Sequence, residues 1–265
     1  MGTAPFAVPS LRALAAAGHE LRLVVTQPDR PGHRLKLTAP AVKVAAQELG
    51  LPVMQPERIR EPAVVESLRE TAPELIVVVA YGQIIPRSVL GIPRRGVVNV
   101  HASLLPRWRG AAPVAHAILA GDRFTGVTIM QMDEQLDHGP VLAQSEPVAI
   151  GAEADAAALT QRLAGIGAQL LVDTIARLDE LEPRGQDHTQ ATPAPKLSRE
   201  DGELDWSLPP AEIDRRVRAF QPWPGVTLPI AGQRVKVLRG RVEGDRYVLE
   251  LVQAPGGRPR VVDGR

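Results

Sequence analysis

Six consecutive apolar residues, Leu75-Ile76-Val77-Val78-Val79-Ala80, restrict the folds open to this chain. A strand with one wet face alternates apolar and polar side chains. This run has no polar face, so it reads as a strand buried on both sides, as in a parallel sheet covered by helices. The neighbouring segments agree. Pro9 to Gly18, Ala41 to Leu49, Pro62 to Thr71, Ala112 to Ala120 and Asp155 to Leu181 read as helices, the first with proline near its start and glycine at its end. Glu20 to Gln27, Pro52 to Gln55, the stretch around Asn99, Gly126 to Met132 and Val141 to Ile150 read as strands. Alternating strands and helices predict a doubly wound α/β domain over residues 1–182.

The polar, proline-rich stretch from Pro183 to Pro195 breaks this pattern and predicts a linker over residues 183–204. Beyond it, a helix from Pro210 to Phe220 precedes short strands at Val226 to Ile230, Gln233 to Leu238 and Arg246 to Val252. Residues 205–265 therefore read as a small module of short strands that closes into a barrel. From Trp206 to Arg265 the chain carries 11 Lys+Arg against 6 Asp+Glu, a net of +5, whereas the rest carries 20 against 24, a net of −4. A basic module on a mildly acidic body fits either a polyanion partner or a well-solvated small domain. There is no cysteine, which excludes a disulfide framework and thiol catalysis. No apolar run reaches the ~18 residues of a membrane span, and no signal peptide is evident, so the expected location is the cytoplasm.

Chemistry concentrates after the next apolar strand, in Gly96-Val97-Val98-Asn99-Val100-His101-Ala102-Ser103-Leu104-Leu105-Pro106-Arg107-Trp108-Arg109-Gly110. Asn99 and His101 are two residues apart and so share one face of the strand. The carboxyl end of a strand, next to a sharp loop, is where open α/β sheets bind ligands. An imidazole can move a proton or donate to a developing oxyanion, and an amide N–H can help hold that oxyanion. Asp137 follows a second strand, where a carboxylate can support a charge on His101; read alone, it is first a turn residue in Asp-His-Gly. Arg30, Arg34 and Lys36 in a basic loop can clamp phosphates or simply face solvent. His19, His33, His116 and His188 are isolated, with no metal-ligand spacing, and Trp108 and Trp223 read as packing groups.

Together these stretches are similar to the 10-formyltetrahydrofolate-dependent formyltransferases. Asn99-x-His101-x-Ser103-Leu104-Leu105-Pro106, followed by Leu136-Asp137-x-Gly139, matches that family's signature. So do Val78-Val79-Ala80-Tyr81-Gly82, Arg107-Trp108-Arg109-Gly110-Ala111-Ala112-Pro113 and Lys196-Leu197-Ser198-Arg199-Glu200-Asp201-Gly202. The likeness extends from Gly2 to about Val252, and its arginine- and lysine-containing stretches are those of members acting on methionyl-tRNA. It implies a Rossmann-like catalytic domain and a C-terminal β-barrel of OB type. It implies formyl transfer from 10-formyltetrahydrofolate to the α-amino group of methionyl-initiator tRNA, by a monomeric enzyme without a metal. Asn99 and protonated His101 would hold the oxyanion, with Asp137 supporting the histidine and taking part in proton transfer. Ser103, Leu104, Leu105, Pro106, Tyr81 and Gly82 would line the folate site, and Arg30, Arg34 and Lys36 would meet the tRNA.

Three departures stand against the pattern. The basic loop is about one residue shorter than in the family. The first strand of the sheet, which in the family precedes the glycine-threonine loop, has no counterpart before Met1-Gly2-Thr3, so an interrupted sheet and a shortened chain are expected. His138 stands where the family often has Thr or Ala, and nothing in the sequence explains it. The alternatives are a family member acting on a sugar-nucleotide amine or glycinamide ribonucleotide, and a tRNA-binding protein without catalysis.

Overall fold

The computed structural model describes residues 1–31 and 37–262. The chain forms two compact units, each assembled from three stretches. The first is Met1–Arg109, Gly126–Glu146 and Gln161–Ala191; the second is Gly110–Thr125, Pro147–Thr160 and Thr192–Arg265.

In chain order the elements are α1 (Val8–Ala16), β1 (Val24–Val25), α2 (Ala41–Glu48), β2 (Val53–Met54), α3 (Pro62–Glu70), β3 (Ile76–Val78), α4 (Arg87–Leu90), β4 (Val97–His101) and α5 (Pro113–Leu119). They continue with β5 (Thr128–Gln131), β6 (Val141–Gln144), α6 (Ala156–Ala176) and α7 (Pro210–Ala219). The chain ends with β7 (Val226–Ile230), β8 (Gln233–Glu243), β9 (Arg246–Gln253) and β10 (Arg260–Val261). Prolines open α1, α3, α5 and α7, where their missing N–H would have had no helical partner.

The four-stranded sheet of the first unit runs β6-β5-β4-β3. β3 and β4 are parallel, with Val78 opposite Asn99, whereas β5 is antiparallel to β4, with Thr128 opposite His101. The sheet is therefore mixed rather than parallel throughout. The apolar run at β3 reported burial on both faces, and burial does not specify the direction of every neighbour. All five residues of β4 are buried. α6 lies on this strand at Gly167, where an added Cβ would come within 3.0 Å of a Val100 methyl. On the other side of β3 a core of Val25, Ile59, Val65, Leu68, Ile76, Val78, Tyr81, Ile85, Val89 and Val97 is sealed from solvent. Each fully buried aliphatic side chain of this kind contributes about 1.5–3 kcal/mol.

The sheet is interrupted between β1 and β3. β1 pairs instead with β2, in parallel. Met1 and Gly2 reach across: the Met1 amine donates to the Val77 carbonyl at 2.6 Å, the Val79 N–H to the Met1 carbonyl at 2.9 Å, and the Gly2 N–H to the Val25 carbonyl at 2.9 Å. Burial pulls the pKa of the Met1 amine from 8.0 down to about 5. Beside this bridge lies a cavity of about 540 Å³, lined by Leu21, Leu23, Val24, Leu75, Ile76 and Val77 among others.

In the second unit β7-β8-β9-β10 form an antiparallel sheet of four strands, covered by the Ile213 and Val217 face of α7. The expected barrel is not closed among the described residues. Tight turns join only sequence neighbours, and β7 meets Glu203 in a single bridge rather than a closing strand. β8 is longer than its apolar pattern suggests, because pairing with β9 continues through the polar Arg239 to Glu243. The stretch read as the start of a linker is held to the first unit. Arg184 and Val141 exchange two backbone hydrogen bonds of 2.8 Å, and Gln186 is buried. No helix among the described residues is long and apolar enough to cross a membrane.

Candidate active site

β4 delivers Asn99 and His101, and the turn after β5 delivers Asp137. Their side chains meet. Asn99 Nδ2 donates to Asp137 Oδ1 at 3.3 Å, and His101 Nδ1 lies 3.6 Å from Asp137 Oδ2. All three residues are at most 9% exposed, so their charges and dipoles act with little screening by water. His101 Nε2 is 2.9 Å from the Trp108 carbonyl. A carbonyl can only accept, so Nε2 carries the proton in this arrangement. Nδ1 is the nitrogen that faces Asp137.

The loop that supplies the Trp108 carbonyl is fixed from below. Ser103 Oγ donates to the Arg107 carbonyl, Thr128 Oγ1 to the Ser103 carbonyl at 2.6 Å, and Leu105 N to Thr128 Oγ1 at 3.0 Å. Gln144 Nε2 adds a bond of 2.9 Å to the Leu105 carbonyl. Trp108 has φ 64° and Asp137 φ 48°. For a bulky residue such as tryptophan this left-handed backbone costs about 1–2 kcal/mol, offset by the bonds that hold the loop.

Ser103 and Leu105 turn inward, Leu105 against Met130 and Val141. Leu104 and Pro106 are partly open. The Tyr81 side chain is inside the core, its hydroxyl without a hydrogen-bond partner among the described residues and its pKa pushed up to about 12 by burial, so this residue can offer a ligand only its backbone. Gly82 is exposed. It lines a cavity of about 380 Å³ together with Gln27, Arg30, Arg58, Arg60 and Ile84, which brings Arg30 and Gly82 to one rim. Arg34 and Lys36 lie outside the described residues.

Several contacts were not visible in the sequence. His188 is not isolated: its ring stacks on His138 at 4.0 Å, and its Nδ1 is 2.8 Å from Arg109 Nη2. His138 Nδ1 is 2.7 Å from the Asp133 carboxylate. This gives the unexpected histidine next to Asp137 a physical setting. Trp223 is 53% exposed and is not a core packing group. Trp108 carries the Arg107 guanidinium over its ring at 4.4 Å. No group of three potential metal ligands occurs among the described residues.

An amide, an imidazole and a carboxylate gathered in a buried cluster beside an anchored loop can supply proton transfer and hydrogen bonds to a developing oxyanion. The family comparisons narrow the class. The Formyl transferase family model matches residues 1–175, and that of the formyl transferase C-terminal domain matches residues 196–261. The chain belongs to the formyl transferase family. It is 51% identical to the methionyl-tRNA formyltransferase of Chloroflexus aurantiacus (strain ATCC 29366 / DSM 635 / J-10-fl) over 245 residues, 91% of this chain and 79% of that one. It is 49% identical to that of Chromobacterium violaceum over 244 residues, again 91% and 79%. Among solved structures, HypX from Aquifex aeolicus in complex with tetrahydrofolic acid shares the fold, with a TM-score of 0.61 and 19% identity over 81% of this chain and 40% of that one.

Proposed function

We propose that this chain transfers a formyl group from 10-formyltetrahydrofolate to the α-amino group of methionyl-initiator tRNA, for the initiation of translation. One observation carries the reading: Asn99, His101 and Asp137 converge in a buried cluster in a chain half identical to methionyl-tRNA formyltransferases.

The amine attacks the formyl carbon and the carbonyl π-bond opens to an oxyanion; the tetrahedral intermediate then collapses as the C=O bond re-forms and the bond to folate N10 breaks, N10 leaving with the proton that the amine gave up and Asp137 passed on. One Asn99 N–H is committed to Asp137; the other is available to the oxyanion. His101, protonated at Nδ1 with its ring fixed by the Trp108 carbonyl, supplies the positive charge. Asp137 supports that charge and takes the proton lost by the attacking amine through water. Such a base contributes about 10²–10⁴-fold. Backbone at Tyr81 and Gly82, with Ser103, Leu104, Leu105 and Pro106, forms the folate side. Arg30, Arg34 and Lys36 meet the tRNA.

In this reading residues 1–182 are catalytic, 183–204 connect, and 205–265 form a basic tRNA-binding module of OB type, for which the open antiparallel sheet is the supporting feature. The enzyme works as a cytoplasmic monomer without a metal. The test is formyl transfer to methionyl-initiator tRNA by the parent chain and by His101→Ala. A chain that binds the tRNA yet transfers no formyl sinks the enzyme reading and favours a binding protein. Arg30→Gln should weaken tRNA binding and lower its salt slope by about 1.

A further inference from the structure

The catalytic histidine is held on two sides, and the two holders belong to different loops. The Trp108 carbonyl takes His101 Nε2, and the Asp137 carboxylate faces Nδ1. One buried amide joins these loops. Gln186 Oε1 accepts from Arg109 Nε at 3.1 Å and from Arg109 Nη2 at 2.6 Å, one residue beyond Trp108. Gln186 Nε2 donates to the Asp137 carbonyl at 3.0 Å and to the Gly139 carbonyl at 2.7 Å. The amide is thereby used in full, two acceptances and two donations, on a residue 8% exposed. The same Arg109 Nη2 also lies 2.8 Å from His188 Nδ1.

We infer that Gln186 is a positioning residue for the proposed formyl transfer: it closes a ring from His101 through Trp108, Arg109 and Gln186 to Asp137 and back to His101. The inference rests on the catalytic reading of His101 and Asp137. Two features favour a clamp at this point beside the bond that Asp137 already accepts from Asn99. Asp137 sits in left-handed backbone, and a turn of this kind reverts readily unless its carbonyls are held. The 3.6 Å separation between His101 and Asp137 is longer than a hydrogen bond, so the pair does not fix its own geometry. An amide suits the task because it both donates and accepts. A glutamate would keep the Arg109 contact but present oxygens to the two carbonyls.

Gln186→Leu removes both halves of the clamp, and Gln186→Glu removes only the donating half. Each is expected to lower kcat about 10- to 100-fold, the scale of a small misplacement in an assembled site, with KM for both substrates within about threefold of the parent. The Arg109→Leu and Gln186→Leu double variant is expected to lose no more than the worse single variant. His101→Ala and Asp137→Asn are assayed alongside. If these two retain full kcat, the catalytic reading itself fails. If they are inactive while both Gln186 variants keep kcat within about twofold, or while the Gln186 variants raise KM without lowering kcat, the positioning role is wrong. A kcat loss that only tracks a smaller folded fraction, measured by circular dichroism and thermal melting, also overturns it. Should Gln186→Leu not fold, Gln186→Glu decides.

Discussion

His101 Nδ1 faces the Asp137 carboxylate at 3.6 Å, with both side chains under a tenth exposed. The other ring nitrogen is already committed to the Trp108 carbonyl. The ring is therefore oriented by the loop, with Nδ1 turned toward the carboxylate.

Asp137→Asn keeps the shape of the side chain and removes its charge. It should lower kcat for formyl transfer about 10²–10⁴-fold, with tRNA affinity unchanged. His101→Ala should lose at least as much. Single-turnover rates with saturating tRNA check both, and an Asp137→Asn enzyme within threefold of the parent rejects the assignment.

Gly139 follows the Asp137 turn with its Cα against the backbone of Gln131; a Cβ there would overlap the Gln131 carbonyl oxygen. Gly139→Ala must move either β5 or the turn. A loss of more than about 2 kcal/mol in urea unfolding is expected, since backbone rather than a flexible side chain has to yield. Any folded fraction should show reduced kcat. Wild-type stability in this variant contradicts the packing.

Tyr81 buries a hydroxyl with no hydrogen-bond partner among the described residues, whereas its carbonyl accepts from Thr3 Oγ1 at 2.7 Å. Tyr81→Phe removes the unsatisfied group and keeps the backbone. It should leave stability unchanged or raise it by up to about 1 kcal/mol, without altering KM for the folate. A loss of stability points to a hidden partner for the hydroxyl.

Asp29 accepts from Gln55 Nε2 at 2.7 Å and from Lys43 Nζ at 2.7 Å. The Gln55 bond first, then the Lys43 bond, hold its carboxyl below the ordinary value of 3.8. A carboxyl depressed in the folded state stabilises it above the unfolded value and loses that contribution as pH falls through the folded value. Asp29→Asn should therefore melt lower than the parent at pH 7, and the difference should shrink below about pH 3.8. A difference that is constant or grows in acid contradicts the sign.

The α/β pattern, the placing of Asn99 and His101 on one face and the proline that opens the first helix were legible in the sequence. They follow from periods of two and 3.6 residues and from local backbone chemistry. Asp137 was legible only through resemblance, because alone it reads as a turn. What tertiary structure decided lies at long separation. Asn99 and Asp137 are 38 residues apart, Gln186 and Asp137 are 49 apart, and Arg109 and Gln186 are 77 apart. No local period reports such pairs. The direction of β5, the open C-terminal sheet and the His138–His188 stack belong to the same class. Burial dictates which residues are apolar, but the path of the chain decides which polar groups meet. The sequence determined that an amide and an imidazole would end one buried strand. Only the folded chain could set the imidazole between the Trp108 carbonyl and the Asp137 carboxylate, since both arrive from loops that no local rule orients.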